Sequence, residues 1–165
     1  QLFADKSIGS WVQRVYTYTS KTPPKAKPVP RDFPIVPVDK KLLSASHDNS
    51  VYIAEEIEKF WHSVRVFMHD GFAYCAVHKN TIASICYVSF RTGKSVALGV
   101  ETFEPYRNRG LAQAVVAECM AHALREKAIP YWDCKDTNVG SVKTAESLGF
   151  KKLWEYNRYG YKIDT

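Results

Sequence analysis

Between residues 95 and 134 the hydrophobic period of this chain changes twice, and nothing else in the sequence constrains the fold as tightly. Residues 95–103 are rich in β-formers. Over residues 109–127 the apolar side chains recur at helical spacing: Leu111, Val115 and Cys119 form one stripe, with Ala112, Val116, Met120 and Leu124 beside it. Polar Gln113, Glu118, His122 and Arg125 fall opposite, so this helix carries a broad apolar face that must lie on a sheet. Residues 129–134 return to strand character. Strand, helix and strand in that order predict a crossover.

The flanking segments extend the sheet. Residues 72–78, 82–90 and 95–103 predict three antiparallel strands, joined by turns at His78-Lys79-Asn80 and Arg91-Thr92-Gly93-Lys94. Short helices are predicted over 39–45 and 51–62, the second with Ile53, Ile57 and Trp61 on one face; Gly71 ends that pattern. After the crossover come a helix over 138–148 closed by Gly149, then a tyrosine-rich pair of strands over 153–163 turning near 157–160. Residues 33–38 alternate like an edge strand, where proline is tolerated. Pro23, Pro24, Pro28, Pro30, Pro34 and Pro37, mixed with Lys25, Lys27 and Arg31, mark an extended connector. The arm ahead of it, with Trp11, Val12, Val15, Tyr16 and Tyr18, reads as a strand or short helix docked on the body or on a portion outside this chain. The expected division is an arm and connector over 1–31 and one domain over 32–165. The expected class is α/β (α+β in some schemes): a mixed, mostly antiparallel sheet with a central β-α-β crossover and helices on both faces.

Composition narrows the function classes. A chain of 165 residues, 45% hydrophobic, suits one core. No apolar run approaches the roughly 18 residues of a membrane span, and the first residues lack a signal-peptide pattern, so a soluble protein with no membrane partner is expected. Cys75, Cys86, Cys119 and Cys134 have no CxxC spacing and sit in apolar segments, which suggests buried thiols and a reducing, cytoplasmic location. The histidines show no ligand spacing, so no metal is expected. The net charge of +6 is scattered without a nucleic-acid-binding signature. A modest basic excess suits a polyphosphate-bearing small ligand equally well. The first residue is not Met, so a processed chain or a fragment of something longer is expected.

The sharpest local motif is Arg107-Asn108-Arg109-Gly110-Leu111-Ala112, between a strand and a helix. The first N–H groups of a helix lack internal partners and carry the positive end of the dipole, so such a junction can cradle phosphate. Gly110 would let a pyrophosphate approach the backbone, and Ala112 would keep the next turn open. Neither a Rossmann nor a Walker pattern is present.

Arg107, Gly110 and Ala112 match the cofactor motif of the GNAT acetyltransferase superfamily, which this chain resembles. Asn138, opening the next helix, and Leu148-Gly149-Phe150, closing it, match the second mark of that superfamily. Gly99-Val100-Glu101-Thr102, Tyr106-Arg107, Trp132-Asp133-Cys134, Ser141 and Ala145-Glu146-Ser147 are similar to the branch that includes zwittermicin A resistance acetyltransferases, where the domain is the C-terminal part of a longer chain. The resemblance implies a GNAT fold and an acetyl-coenzyme A-dependent N-acetyltransferase, with acetyl-coenzyme A as co-substrate between two splayed strands. Val100 and Thr102 would pair with the pantetheine arm, Asn108, Arg109, Gly110, Leu111, Ala112 and Gln113 would hold the pyrophosphate, and Asn138 and Ser141 would touch the cofactor from the neighbouring helix. Asn138 also reads as a plain helix cap.

Direct attack by an amine needs a base, and Glu101, a carboxylate in an apolar strand, is the candidate; an ion pair with Arg107 or Lys94 is the other reading of the same residue. The superfamily's thiolate-protonating tyrosine is replaced by Ala145, leaving Ser141, Ser147, Tyr156, Tyr159, Cys134 or water as donors. Asp39, Asp48, Glu55, Glu56 and Glu58 precede Gly71, where they either attract a cationic amine or form a solvated helix face. Tyr156, Tyr159 and Tyr161 either line the acceptor mouth or are half-buried strand aromatics. The expected acceptor is a primary amine of a small molecule; a protein N-terminus or lysine, and a catalytically silent acyl-CoA-binding module, are the alternatives. A monomer or homodimer is expected.

Overall fold

The computed structural model describes residues 8–44 and 47–161. Its elements run β1 (Ile8–Thr17), β2 (Ile35–Pro37), α1 (Ser50–Glu58), α2 (Val64–Asp70), β3 (Ala73–His78), β4 (Thr81–Thr92), β5 (Ser95–Thr102), a 3-10 turn (Glu104–Tyr106), α3 (Leu111–Arg125), β6 (Ile129–Lys135), α4 (Val139–Ser147) and β7 (Lys151–Tyr161). The strands form a 7-stranded sheet in the order β2-β3-β4-β5-β6-β1-β7. Every neighbouring pair is antiparallel except β5 and β6. The fold is the mixed α/β arrangement expected, with α3 as the crossover.

Period-2 alternation, shifted in phase after Ile82 by a register shift in the β3–β4 pairing, sorts the strand residues onto two faces. Cys86, Val88, Val96, Leu98 and Trp132 pack with Leu111, Val115, Val116 and Met120 of α3 and with Val142 and Ala145 of α4. On the other face Ile82, Ile85 and Tyr87 pack with Ile53 and Ile57 of α1 and Phe67 of α2. Removing the Val, Leu, Ile, Phe and Met side chains among these from water contributes about 1.5–3 kcal/mol each. All four cysteines are buried and free.

The aromatic arm is a strand placed inside the sheet. Gln13 to Thr17 pair with β6, and Ile8 to Thr17 pair with β7. Tyr16 is completely buried on the α4 side, and its hydroxyl donates to Glu146 at 3.2 Å. Because β1 offers a long partner, residues 151–161 form one strand and not the expected pair turning near 157–160. Gly160 faces Gly9 and lies under the Trp11 ring, where a Cβ would meet the indole at 3.0 Å. That glycine makes room for a ring and makes no turn. Residues 162–163, the end of the expected pair, lie outside the described residues, as do residues 1–7 of the arm.

Two smaller differences concern the helices. Residues 40–44 form turns, because the Asp39 carboxylate accepts from Leu42 N–H at 2.8 Å and closes one turn without propagating it; Ala45 lies outside the described residues. Residues 64–70, unassigned from the sequence, form α2. Its cap, Ser63, accepts from Val66 N–H at 3.3 Å. No helix among the described residues is long and apolar enough to cross a membrane.

Candidate functional site: a splayed strand pair and an uncapped helix

The crossover strands begin paired and then part. Ser95, Val96 and Ala97 align with Ile129, Pro130 and Tyr131, and beyond Ala97 no pairing continues between β5 and β6. From Leu98 to Thr102, β5 keeps its bonds to β4, while its other edge faces the gap. Apart from the Thr102 carbonyl, which accepts from Arg107 Nε at 3.0 Å, backbone groups on that edge are free to bind an extended ligand as another strand would.

At the end of this gap α3 starts without a cap. Gly110 stands at its N-cap in the left-handed region, φ +78°, and no side chain caps the helix. The N–H groups of Leu111, Ala112 and Gln113 have no partner among the described residues. A Cβ on Gly110 would meet nothing within 4 Å, so the backbone here is open. Asn108 also has positive φ, +62°, one of the few non-glycine residues to do so. The three N–H groups open onto a cavity of about 770 Å³. This matches what a pyrophosphate needs: oriented donors, the positive end of a helix and no side chain in the way.

Of the cofactor residues expected from sequence, Val100, Thr102, Asn108, Gly110, Leu111, Ala112, Gln113, Asn138 and Ser141 line this cavity together. Arg109 does not; its guanidinium lies over the Phe33 ring, 5.6 Å from the centroid. Asn138 caps α4 by accepting from Ser141 N–H at 3.1 Å, and its remaining amide edge borders the cavity. Ser141 Oγ accepts from Trp132 Nε1 at 3.1 Å, which fixes the indole under the gap. Gln113 donates to Ser147 Oγ at 2.9 Å. Lys27, Tyr106, Gly140 and Thr144 also line the cavity and were not expected. Lys27 arrives from the connector, which packs Ala26 and Val29 against the core; its Pro-flanked lysines were the available signal.

Glu101 lies on the opposite face of β5 from Val100, and both residues border the cavity. Its side chain is 41% exposed and pairs with Arg107 at 3.8 Å; Lys94 lies seven residues away along the hairpin, roughly 23 Å in extended strand. Burial raises the Glu101 pKa, Arg107 opposes that, and the negative charge of Glu56 adds to it. A second cavity, of about 200 Å³, opens between β5 and α1, lined by Tyr52, Glu56, Phe60, Tyr87, Gly99, Val100 and Glu101 among others. Gly99 is required here, since a Cβ would meet Tyr87 Cζ at 2.8 Å. Burial raises the Tyr87 pKa to about 12, with Glu56 adding to the effect.

Among the upstream acids, Glu56 alone reaches these cavities. Asp39 holds its turn, Asp48 accepts from Thr81 Oγ1 at 2.9 Å, and Glu58 accepts from Val64 N–H at 3.2 Å. Tyr156 donates to Asp133 at 2.9 Å, while Tyr159 is 66% exposed on β7. Ala145 is fully buried in the core. Among the described residues no group of three or more His, Cys, Asp or Glu side chains could hold a metal ion.

Residues 5–159 match the family model of the GNAT acetyltransferases. The chain is 31% identical over 145 residues to an uncharacterised N-acetyltransferase, YdfB, of Bacillus subtilis strain 168, covering 87% of this chain and 54% of that one. It thus spans about half the length of that curated relative. Its fold is similar to that of a GCN5-related N-acetyltransferase-like protein from Streptococcus suis 89/1591, with a TM-score of 0.76 and 21% identity over 98% of this chain and 65% of that one. A second similar structure is an acetyltransferase of the GNAT family from Novosphingobium aromaticivorans, with a TM-score of 0.69 and 16% identity over 97% of this chain and 69% of that one.

Proposed function

The chain belongs to the GNAT acetyltransferase family, and from that premise we propose that it transfers the acetyl group of acetyl-coenzyme A to a primary amine of a small molecule by direct attack. The observation that carries this reading is the uncapped start of α3, whose three unpartnered N–H groups open onto the same cavity as the unpaired edge of β5. Leu111, Ala112 and Gln113 N–H hold the pyrophosphate, Lys27 and Arg107 add positive charge, and the free edge of β5 near Val100 and Thr102 aligns the pantetheine arm. When bound, acetyl-coenzyme A supplies an activated acyl group as a thioester.

Glu101 takes the proton that an ammonium must lose before attack, and its raised pKa suits that role. Backbone N–H groups on the free edge of β5 are the donors available to a developing oxyanion. The new C–N bond forms as the C–S bond breaks, and the departing sulfur needs a proton. Buried Ala145 cannot supply it; Ser141 and Cys134, both bordering the gap, and water are the donors at hand. The resemblance of the chain's motif residues to the zwittermicin A resistance branch supports a small-molecule acceptor over a protein one.

The test is calorimetric titration of the chain with acetyl-coenzyme A, followed by thiol release across a panel of small amines. Binding with amine-dependent thiol release is expected. Absence of binding by a folded chain would remove the reading; binding without turnover of any amine would leave an acyl-CoA-binding module.

A further inference from the structure

A third cavity, of about 230 Å³, lies on the other side of the gap from the Glu56 pocket, and the two share Gly99 and Val100 as a common wall. Its far side is built by β1, β6 and β7. Register puts Gln13 opposite Lys135 and Tyr156, and Trp11 opposite Arg158, so these side chains share one face of the sheet. Lys135 Nζ stands 4.4 Å from the Trp11 ring centroid and Arg158 Cζ 5.8 Å from it. Neither cation has a carboxylate within ion-pair distance among the described residues.

The nearest acid on this wall is already engaged. Asp133 accepts from Gln13 Nε2 at 2.6 Å, Tyr156 hydroxyl at 2.9 Å and Tyr131 hydroxyl at 3.2 Å. That contact also fixes the Gln13 amide: Nε2 must face the carboxylate, so Oε1 faces away. Gln13 is 6% exposed, and its Oε1 has no partner. Trp11 Nε1 is likewise buried without one. Both residues line the cavity. A buried polar atom left unpaired is destabilising, and these two are paired most simply by a ligand.

We propose that the acceptor of the transfer is a small amino-carboxylate that straddles Gly99 and Val100, its amine toward Glu101 and its carboxylate toward Lys135 and Arg158. The proposal rests on the acetyl-transfer reading above and names the class of acceptor. The two cavities differ in the charges that line them: Glu56, paired with Lys59, and Glu101, paired with Arg107, on one flank, and two cations near an indole, beside the already engaged Asp133, on the other. Trp11 Nε1 donates to a carboxylate oxygen, the planar Arg158 guanidinium matches a carboxylate in two-point fashion, and Gln13 Oε1 accepts from a substrate N–H. A plain alkylamine satisfies the acidic flank and leaves the basic one unfilled. A diamine sets a positive charge against Lys135 and Arg158.

The experiment uses the full chain with saturating acetyl-coenzyme A. The common α-amino acids and the ω-amino acids from glycine to 6-aminohexanoate are each compared with the amine of the same skeleton lacking the carboxylate, by thiol release. At least one acid is expected to exceed its matched amine in kcat/KM by about tenfold or more, as expected when one charge-assisted contact is gained. In the Lys135→Met/Arg158→Met double variant that ratio falls to near one, and Trp11→Phe, which keeps the ring and loses Nε1, lowers it by part of that. Ratios at or below one for every pair in the native chain overturn the proposal, as does a ratio unmoved by the double variant. Binding of each acid to the chain with coenzyme A, read by tryptophan fluorescence, is a measurement independent of turnover: an acid-binding signal lost in the double variant supports the site, and no binding by any acid rejects it. Calorimetry with acetyl-coenzyme A separates the two claims, since acetyl-coenzyme A binding with no carboxylate preference leaves acetyl transfer standing and removes only this acceptor class.

Discussion

Helices α3 and α4 start on the rim of one cavity and treat their first N–H groups in opposite ways. At α4, Asn138 folds its side chain onto Ser141 N–H, and the helix is closed by its own sequence. At α3, Gly110 has no side chain to fold back, its φ of +78° swings the chain into the helix from the left-handed region, and three donors stay unpaired. A capped start contributes to stability, whereas an uncapped start on a cavity keeps its donors for something else. The difference separates a structural helix end from a binding one without reference to any ligand.

The largest effect comes from closing the open end. Gly110→Glu puts a carboxylate where the donors converge, and acetyl-coenzyme A binding should fall below calorimetric detection. Any β-carbon at φ +78° adds backbone strain of about 1 kcal/mol, so Gly110→Ala, which carries that strain without the carboxylate, is the control. Both variants should melt at similarly lowered temperatures while only the glutamate abolishes binding. Equal loss of binding in the two would mean that strain, and not the cradle, had been tested.

A second effect separates binding from chemistry, because neither helix start carries the base. Glu101→Gln should lower kcat by about 10²–10⁴ and leave acetyl-coenzyme A affinity within a few fold. The sign of the pH dependence follows from the raised pKa. The base-competent carboxylate appears only above a pH higher than that of an ordinary glutamate, so activity should rise through that point in the native chain and lose this acid limb in the variant. An unchanged rate would assign Glu101 to its ion pair with Arg107 alone.

The third effect reverses the first. Asn138→Ala uncaps α4 and should cost about 1 kcal/mol of stability, lowering Tm by about 2–4 °C for a domain of this size. Cofactor affinity should weaken by no more than about tenfold, the value of one neutral hydrogen bond. Loss of binding as complete as in Gly110→Glu would erase the distinction between the two helix ends.

The open helix end was legible in the sequence because all of it is local: Arg107 through Gln113 is one continuous turn, and a glycine at a strand-to-helix junction has a physical reading before any coordinates exist. The crossover was legible for the same reason, as a change of period. The position of β1 was not. Nothing in Trp11 to Tyr18 says that the strand enters between β6 and β7, because that neighbour relation is set by edges more than a hundred residues away. The acceptor side was hidden in the same manner. Glu56, Tyr87, Gly99, Gln13, Lys135 and Arg158 come from α1, β4, β5, β1, β6 and β7, and only the folded sheet assembles them. Gly99 could not be read as functional until Tyr87 was seen lying across it.

The smallest effect tests how far the two sides of the cleft speak to each other. Arg107 follows the 3-10 turn, donates from Nε to Thr102 carbonyl at 3.0 Å and stands 3.8 Å from Glu101. Both partners are partly exposed, so the pair is worth no more than about 1 kcal/mol in stability, and Arg107→Ala should scarcely move Tm. Its charge nevertheless opposes the rise in the Glu101 pKa. Removing it lets the carboxyl hold its proton to higher pH, so the acid limb of the pH–rate profile should move upward. Salt screens exposed pairs, hence the separation between native and variant profiles should narrow as ionic strength rises. A profile that does not move in Arg107→Ala would mean that this limb belongs to some group other than Glu101.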